Sequence, residues 1–112
     1  MSRRVAPSHI RPIVETILGC KWSLTLMVLI RQGVHRPGQM HRSVDGLSPK
    51  VMNYCLAKML EFNLVEKTSY PEIPPRVEYH FTPFGLKFMK LFDVLEELDG
   101  DLAEAVKGAT RN

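Results

Sequence analysis

Ligating side chains are scarce in this chain. Of its 112 residues only two are cysteines, Cys20 and Cys55, far apart and outside any C-x-x-C or Cys/His spacing. His9, His35, His41 and His80 likewise fall in no ligand pattern, so no structural zinc site is expected. Long hydrophobic runs are missing too. The longest, residues 24–30, is seven residues and contains Thr25, against the roughly 20 needed to span a bilayer. Arg3 and Arg4 are not followed by the apolar stretch and cleavage site of a secretory signal, which makes the cytoplasm the expected compartment and leaves no membrane partner. No paired carboxylates, Ser/His/Asp set, phosphate-cradling glycine loop or metal cluster stands out, so neither an enzyme nor a cofactor is expected.

What is present is the composition of an ordinary folded domain, 45% apolar and 24% charged, with a chain length that supports one core. The net charge of +3 conceals a gradient. Up to Lys58 nine Lys and Arg face two acids, Glu15 and Asp45; from Met59 onward six bases face ten acids. One part of the molecule suits a polyanion and the other would be repelled by it.

Periodicity supplies the elements. Ile10, Ile13, Val14, Ile17 and Leu18 recur at helical spacing until Gly19, and a second helix is expected over about residues 21–32, with Trp22 packed against its neighbours. Residues 37–44 form a short third helix, with Pro37 tolerated in its first turn. Asp45 and Gly46 then make a turn, Ser48 is an N-cap and Pro49 occupies the first helical position, so a fourth helix starts firmly and runs to about Phe62. Its inward stripe is expected to be Val51, Met52, Cys55, Leu56, Met59 and Leu60. The opposite face carries Lys50, Asn53, Tyr54, Ala57, Lys58 and Glu61, with no acid in its N-terminal half.

Residues 64–70 and 76–81 read as two strands. In the second, Val77, Tyr79 and Phe81 alternate with Arg76, Glu78 and His80. Pro71, Pro74 and Pro75 cannot donate to a ladder, which makes the link a stiff loop. Thr82 caps a last helix that begins at Pro83 and carries Phe84, Phe88, Leu91, Phe92, Leu95, Leu98 and Leu102, more apolar surface than so short a chain easily covers. The expected organisation is a flexible arm over residues 1–8, one domain over 9–107 and a frayed tail over 108–112.

The fold class is therefore mainly α with a small β-hairpin. A short helix, a glycine turn and a capped helix make a helix-turn-helix, and a hairpin directly after it is a wing. The fourth helix would enter the major groove of DNA. Pro49, Lys50, Asn53 and Tyr54 line the outer face of its first turns, where Asn can bond adenine and Lys can reach guanine. Lys58 follows on the same side. Ser48, Arg36, Gln39 and Arg42 are placed for phosphates. Arg76 either reaches a neighbouring minor groove or pairs with Glu72 and Glu78. Cys55 is expected to be a small buried hydrophobe. Cys20, near a helix N-terminus beside Lys21, is a candidate redox site, although packing is its simpler role. A winged helix that binds protein instead of DNA is the competing reading; the basic N-terminal half and the acid-free face argue against it.

The segments G-C-K-W-S-L, D-G-L-S-P-K-V-M and L-V-E-K, and above all Y-P-E-I-P-P-R-V-E-Y-H-F-T-P-F-G, resemble the HxlR-type winged helix-turn-helix regulators, relatives of the MarR group in bacteria and archaea. The resemblance covers about residues 12–98. It implies a transcriptional regulator that binds double-stranded DNA at a pseudo-palindromic operator as a homodimer, responsive to a small effector or to oxidants. It also implies that the first and last helices form the dimer interface, here Ile10, Ile13, Val14 and Ile17 with Phe88, Leu91, Phe92, Leu95, Leu98 and Leu102. The family often has a sensing cysteine just before the proline that opens the first helix. Arg11 holds that position here, so that sensor is not carried over.

Overall fold

A computed structural model describes residues 8–110. The expected arm lies, up to residue 7, outside the described residues. Ser8 does lie within them: its Oγ accepts a hydrogen bond from the Arg11 N–H at 3.2 Å, ahead of the N-cap residue Ile10, which makes no side-chain cap bond.

Seven elements follow in order: α1 (Arg11–Gly19), α2 (Ser23–Arg31), α3 (Pro37–Ser43), α4 (Pro49–Glu61), β1 (Val65–Tyr70), β2 (Arg76–Phe81) and α5 (Pro83–Thr110). Local chemistry sets the boundaries. The Ser48 Oγ accepts from the Val51 N–H at 3.2 Å, and Pro49 stands at the first helical position of α4. Gly46, with φ of +84°, makes the turn between α3 and α4 in a conformation that a side chain would strain. Asn63, with φ of +58°, ends α4 in the left-handed region that Asn tolerates. α2 begins at Ser23, not Lys21, because the Ser23 N–H closes a turn onto the Cys20 carbonyl at 3.2 Å.

The core is one cluster to which every element contributes. Ile17 of α1, Leu26, Met27 and Ile30 of α2, and Met40 of α3 meet Met52, Cys55, Leu56 and Met59 of α4. Leu64 and Val65, with Tyr79 of the hairpin, join Phe88, Met89 and Phe92 of α5 on the other side. Five of these residues are methionines, unbranched side chains that fill irregular gaps.

β1 and β2 pair antiparallel from Val65 opposite Phe81 to Tyr70 opposite Arg76. Two fastenings hold this hairpin. At its open end, the Thr82 hydroxyl donates to the Asn63 carbonyl at 2.6 Å and accepts the Gly85 N–H at 2.9 Å. On its outer edge, the Tyr79 N–H donates to the His35 carbonyl at 2.8 Å, and His35 Nδ1 returns a bond to the Tyr79 carbonyl at 3.0 Å. The wing is thus sewn to the linker that leads into α3.

Several expectations need correction. Val51 is 39% exposed and is not part of the α4 stripe; its position directs it to the flank, and Met52 fills the core instead. Ile17, Phe88 and Phe92 are 0%, 6% and 0% exposed, so they belong to the protomer's own core and are not open to a partner. Helix α5 continues through Gly108 to Thr110, beyond the point where the tail was expected to fray.

Gly85 is the tightest contact between α5 and the hairpin: a Cβ there would collide with the Leu64 carbonyl and press on the Phe81 ring. Gly85→Ala is expected to lower stability by about 1–3 kcal/mol, measured as a lower urea midpoint. An unchanged midpoint would contradict this packing.

Candidate nucleic-acid interface

The stripe Met52, Cys55, Leu56 and Met59 anchors α4 in the core and turns its other face outward. Pro49, Lys50, Asn53 and Tyr54 are all exposed, Tyr54 by 58%. No acid occurs on α4 before Glu61, at its last residue. The face is therefore polar, uncharged or basic, and fixed on a rigid element.

Helix α3 supplies the flank. Arg42 and Gln39 are exposed on it, and Arg36 precedes its first residue. Ser48 is exposed as well; its oxygen accepts the α4 cap bond, and its hydroxyl proton stays available for a phosphate oxygen. Between α3 and the tip of the wing lies an open groove of about 570 Å³, lined by Arg36, Gln39, Arg42 and Arg76 with Glu72 as its one acid. Such a concavity, edged by guanidinium groups, can hold a phosphate backbone.

Arg76 is engaged within the hairpin. Its Nη2 is 3.3 Å from Glu72 Oε1, and its guanidinium stacks 4.0 Å over the Tyr70 ring. Its buried Nε lies 3.4 Å from Glu78 Oε2, in ion-pair range but outside hydrogen-bond geometry. Of the two roles expected for Arg76, the free protein displays the pairing. Lys58 is also engaged, at 3.1 Å from Glu61 Oε2, and is the least free of the expected contacts on α4.

Glu78 is a hub that the sequence did not reveal. His80 Nε2 bonds its Oε1 at 2.9 Å, while Arg76 and, at 3.8 Å, Arg36 approach its Oε2. The hydrogen bond from His80, and after it the nearby positive charges, hold the Glu78 carboxyl below its ordinary range against the opposing effect of burial. The His80 ring stacks on His35 at 4.0 Å between centroids, so the hub joins the wing, the linker and the start of α3. The strand alternation placed His80 and Glu78 on one face; the partnership with residues 35 and 36 is tertiary. The wing tip adds Ile73, which is fully exposed.

The expected dimer residues divide by depth. Ile13, Val14, Leu91 and Leu95 are half-buried, and Ile10, Leu98 and Leu102 are exposed. Val94 and Val106, which the hydrophobic spacing did not single out, are 50% and 55% exposed and extend the outer stripe of α5 at intervals of a helical turn. An open apolar groove of about 660 Å³, with Leu24, Val28, Leu29, Phe92 and Leu95 in its walls, runs between α2 and α5. Among the described residues no single helix is long and apolar enough to cross a membrane.

Cys20 caps the C-terminal end of α1, and its Sγ lies 2.8 Å from Cys55 Sγ on α4. Both thiols are free. This contact brings together the candidate redox cysteine and the residue expected to be inert.

Comparison with known proteins fits this geometry. A regulatory protein, MalR, of Fusobacterium mortiferum is 31% identical over 83 residues, 73% of this chain and 78% of its own length. An HTH-type transcriptional regulator of Synechocystis is 33% identical over 98 residues, covering 86% of this chain and 73% of that protein. The crystal structure of a MarR-family transcriptional regulator from Enterococcus faecalis superposes with a TM-score of 0.70 at 32% identity, over 99% of this chain and all of that one. The family model described as HxlR-like helix-turn-helix matches residues 17–107, the span that runs from the end of α1 through α4 and the hairpin to the last turns of α5, and this chain belongs to that family of DNA-binding transcriptional regulators.

Proposed function

We propose that this regulator binds a pseudo-palindromic operator as a two-fold homodimer. The observation that carries the reading is the outer face of α4: exposed, free of acid over its N-terminal half and flanked by Arg42 of α3 and Arg36 just before it. Lys50, Asn53 and Tyr54 meet base edges in the major groove, with Pro49 packed against the floor of the groove. Arg36, Gln39, Arg42 and Ser48 hold phosphates and set the register, and Lys58 adds to the field at the far end of the helix.

Arg76 acts here as a brace. Its charge is already balanced by Glu72 and Glu78, so it keeps the wing in shape for Ile73 and the proline loop to lie along the adjacent minor groove. The exposed apolar stripe of α5, from Val94 to Val106, together with Ile10, Ile13 and Val14 of α1, supplies the dimer contact. In such a dimer the two reading helices lie about 34 Å apart, one turn of DNA.

Replacing both Lys50 and Asn53 by Ala is expected to reduce the preference for operator over random DNA by about 1–3 kcal/mol for each base pair no longer read. Fluorescence anisotropy on the chain's own upstream DNA measures this, and an intact preference would mean that another surface reads the bases. Salt titration separates the arginines: Arg42→Ala should lower the slope of log affinity against log salt by about 1, whereas Arg76→Ala weakens binding with the slope unchanged. Leu98→Glu combined with Leu102→Glu should yield monomers by sedimentation velocity that no longer hold the operator; a dimer that persisted would place the interface elsewhere.

A further inference from the structure

The loop at the wing tip, Pro71 to Pro75, has almost nothing to offer DNA by charge or hydrogen bonding. Its one ionisable side chain is Glu72, whose Oε1 is paired with Arg76 Nη2 at 3.3 Å. Pro71, Pro74 and Pro75 have no N–H, and the Glu72 N–H donates to the Tyr70 carbonyl at 2.8 Å. What the loop does present is Ile73, which is fully exposed; the next most exposed large apolar side chain among the described residues, Leu102, shows 63%.

The mounting of Ile73 is stiff. Pro74 follows it directly and confines its backbone, while Pro71 and Pro75 fix φ at the two ends of the loop. The Arg76 guanidinium, 4.0 Å over the Tyr70 ring, closes the base. Such a loop loses little freedom when it meets another surface. An aliphatic side chain held out into water on it gains from being covered.

The neighbourhood says what covers it. Ile73 lines the open groove between α3 and the wing, with Arg36 and Arg42 on the α3 side and the loop on the other. A phosphate strand is the boundary between the major and the minor groove of B-DNA. With α4 in the major groove and the adjoining strand seated against Arg36 and Arg42, the wing reaches across that strand and its tip faces the minor groove. The apolar tip is thus continuous with the basic surface already described.

In that groove an aliphatic side chain follows a simple rule. All base pairs show acceptors on the floor, so these cancel in any comparison, whereas a G·C pair adds the 2-amino group of guanine. That group projects from the floor and is a donor. Isoleucine has no side-chain atom to accept its proton, and covering a donor without a partner is costly. Steps made of A·T pairs, TA above all, also open more readily to an apolar wedge.

We propose that Ile73 is a specificity-determining residue: it reads the minor groove beside each operator half-site by shape, accepting A·T pairs there and rejecting guanine through its 2-amino group. The inference rests on the operator binding proposed above and adds a base preference that neither α4 nor the arginines supply.

The test is fluorescence anisotropy of the full chain on its upstream operator, with each pair flanking the half-sites placed in turn as A·T, G·C, inosine·C or 2,6-diaminopurine·T. Inosine keeps the major-groove edge of guanine and lacks the 2-amino group; diaminopurine keeps the major-groove edge of adenine and carries that group. At the pair beneath the wing, wild type should bind A·T and inosine·C alike, and G·C and diaminopurine·T about tenfold more weakly. Ile73→Ala should level the four. It should keep the wild-type salt slope and urea midpoint, because it removes neither a phosphate contact nor a buried side chain. Ile73→Val should retain most of the discrimination. Affinities that group inosine·C with G·C place the reading in the major groove and overturn the proposal. An Ile73→Ala variant that discriminates as wild type does overturns it as well. So does a wild type indifferent to all four pairs, the result expected if the tip meets another protein. In each of these cases operator binding stands if wild type still prefers operator to random DNA and the Lys50→Ala, Asn53→Ala double variant loses that preference. If wild type shows no such preference, operator binding and the role of Ile73 fall together.

Discussion

The surface proposed to meet DNA is placed by four side chains on the opposite face of its helix. Met52, Cys55, Leu56 and Met59 fix the rotation and height of α4, because their burial against α1, α2 and the hairpin leaves the helix one way to lie. Lys50, Asn53 and Tyr54 point outward as a result. The same stripe explains why α3 is so short: Met40 is its one buried residue, enough to hold it across the start of α4 while Arg42 and Gln39 remain exposed. Burial of each such side chain is worth about 1.5–3 kcal/mol, so the reading face has the rigidity of the core behind it.

Much of this was legible in the chain. Ser48 followed by Pro49, and Thr82 followed by Pro83, announce helix starts through a side-chain oxygen that accepts a first-turn N–H and a proline that has no N–H to leave unpaired. The alternation of residues 76–81 marks a strand with one face on the core, and Tyr79 does prove to be its most buried residue. Signals of this kind are local, and they placed the element boundaries to within a residue or two, apart from the C-terminal end of α5. Contacts between distant segments were less accessible. Val51 shows the limit of periodicity, since at the flank of a stripe the pattern alone does not say whether a valine faces a neighbour or water. Ile17, Phe88 and Phe92 have the same spacing as residues on an open face, and only the arrangement of α5 against α1 and α2 reveals that they are already covered. The meeting of Cys20 with Cys55, and of His35 with Tyr79, depends on how two helices and a linker cross, which no spacing rule encodes.

Charge is arranged with similar economy around the wing. Three cationic or protonatable side chains, Arg36, Arg76 and His80, converge on Glu78, whose side chain is only 18% exposed. This cluster orders the proline loop without an apolar core of its own, and it explains how a two-stranded hairpin, marginal in isolation, holds a defined position. Six of the ten acids of the second half of the sequence fall on α5, and only Glu61, at the last residue, falls on α4. The imbalance seen along the chain thus becomes a division between elements, with bases on α3 and α4 and most acids on α5.

The outer half of α5 has a further consequence. A helix of 28 residues is about 42 Å long, and from Glu96 to Ala109 its residues are exposed. Helical segments of this length are marginal in water unless a packed face supports them. In the proposed dimer that support comes from a second chain, so the free energy of folding depends on protomer concentration. Supply of the chain then governs occupancy of DNA more steeply than simple proportion: diluting the protein removes assembled readers and loosens the helix that assembles them, and the abundance of the regulator becomes an input to the circuit it controls.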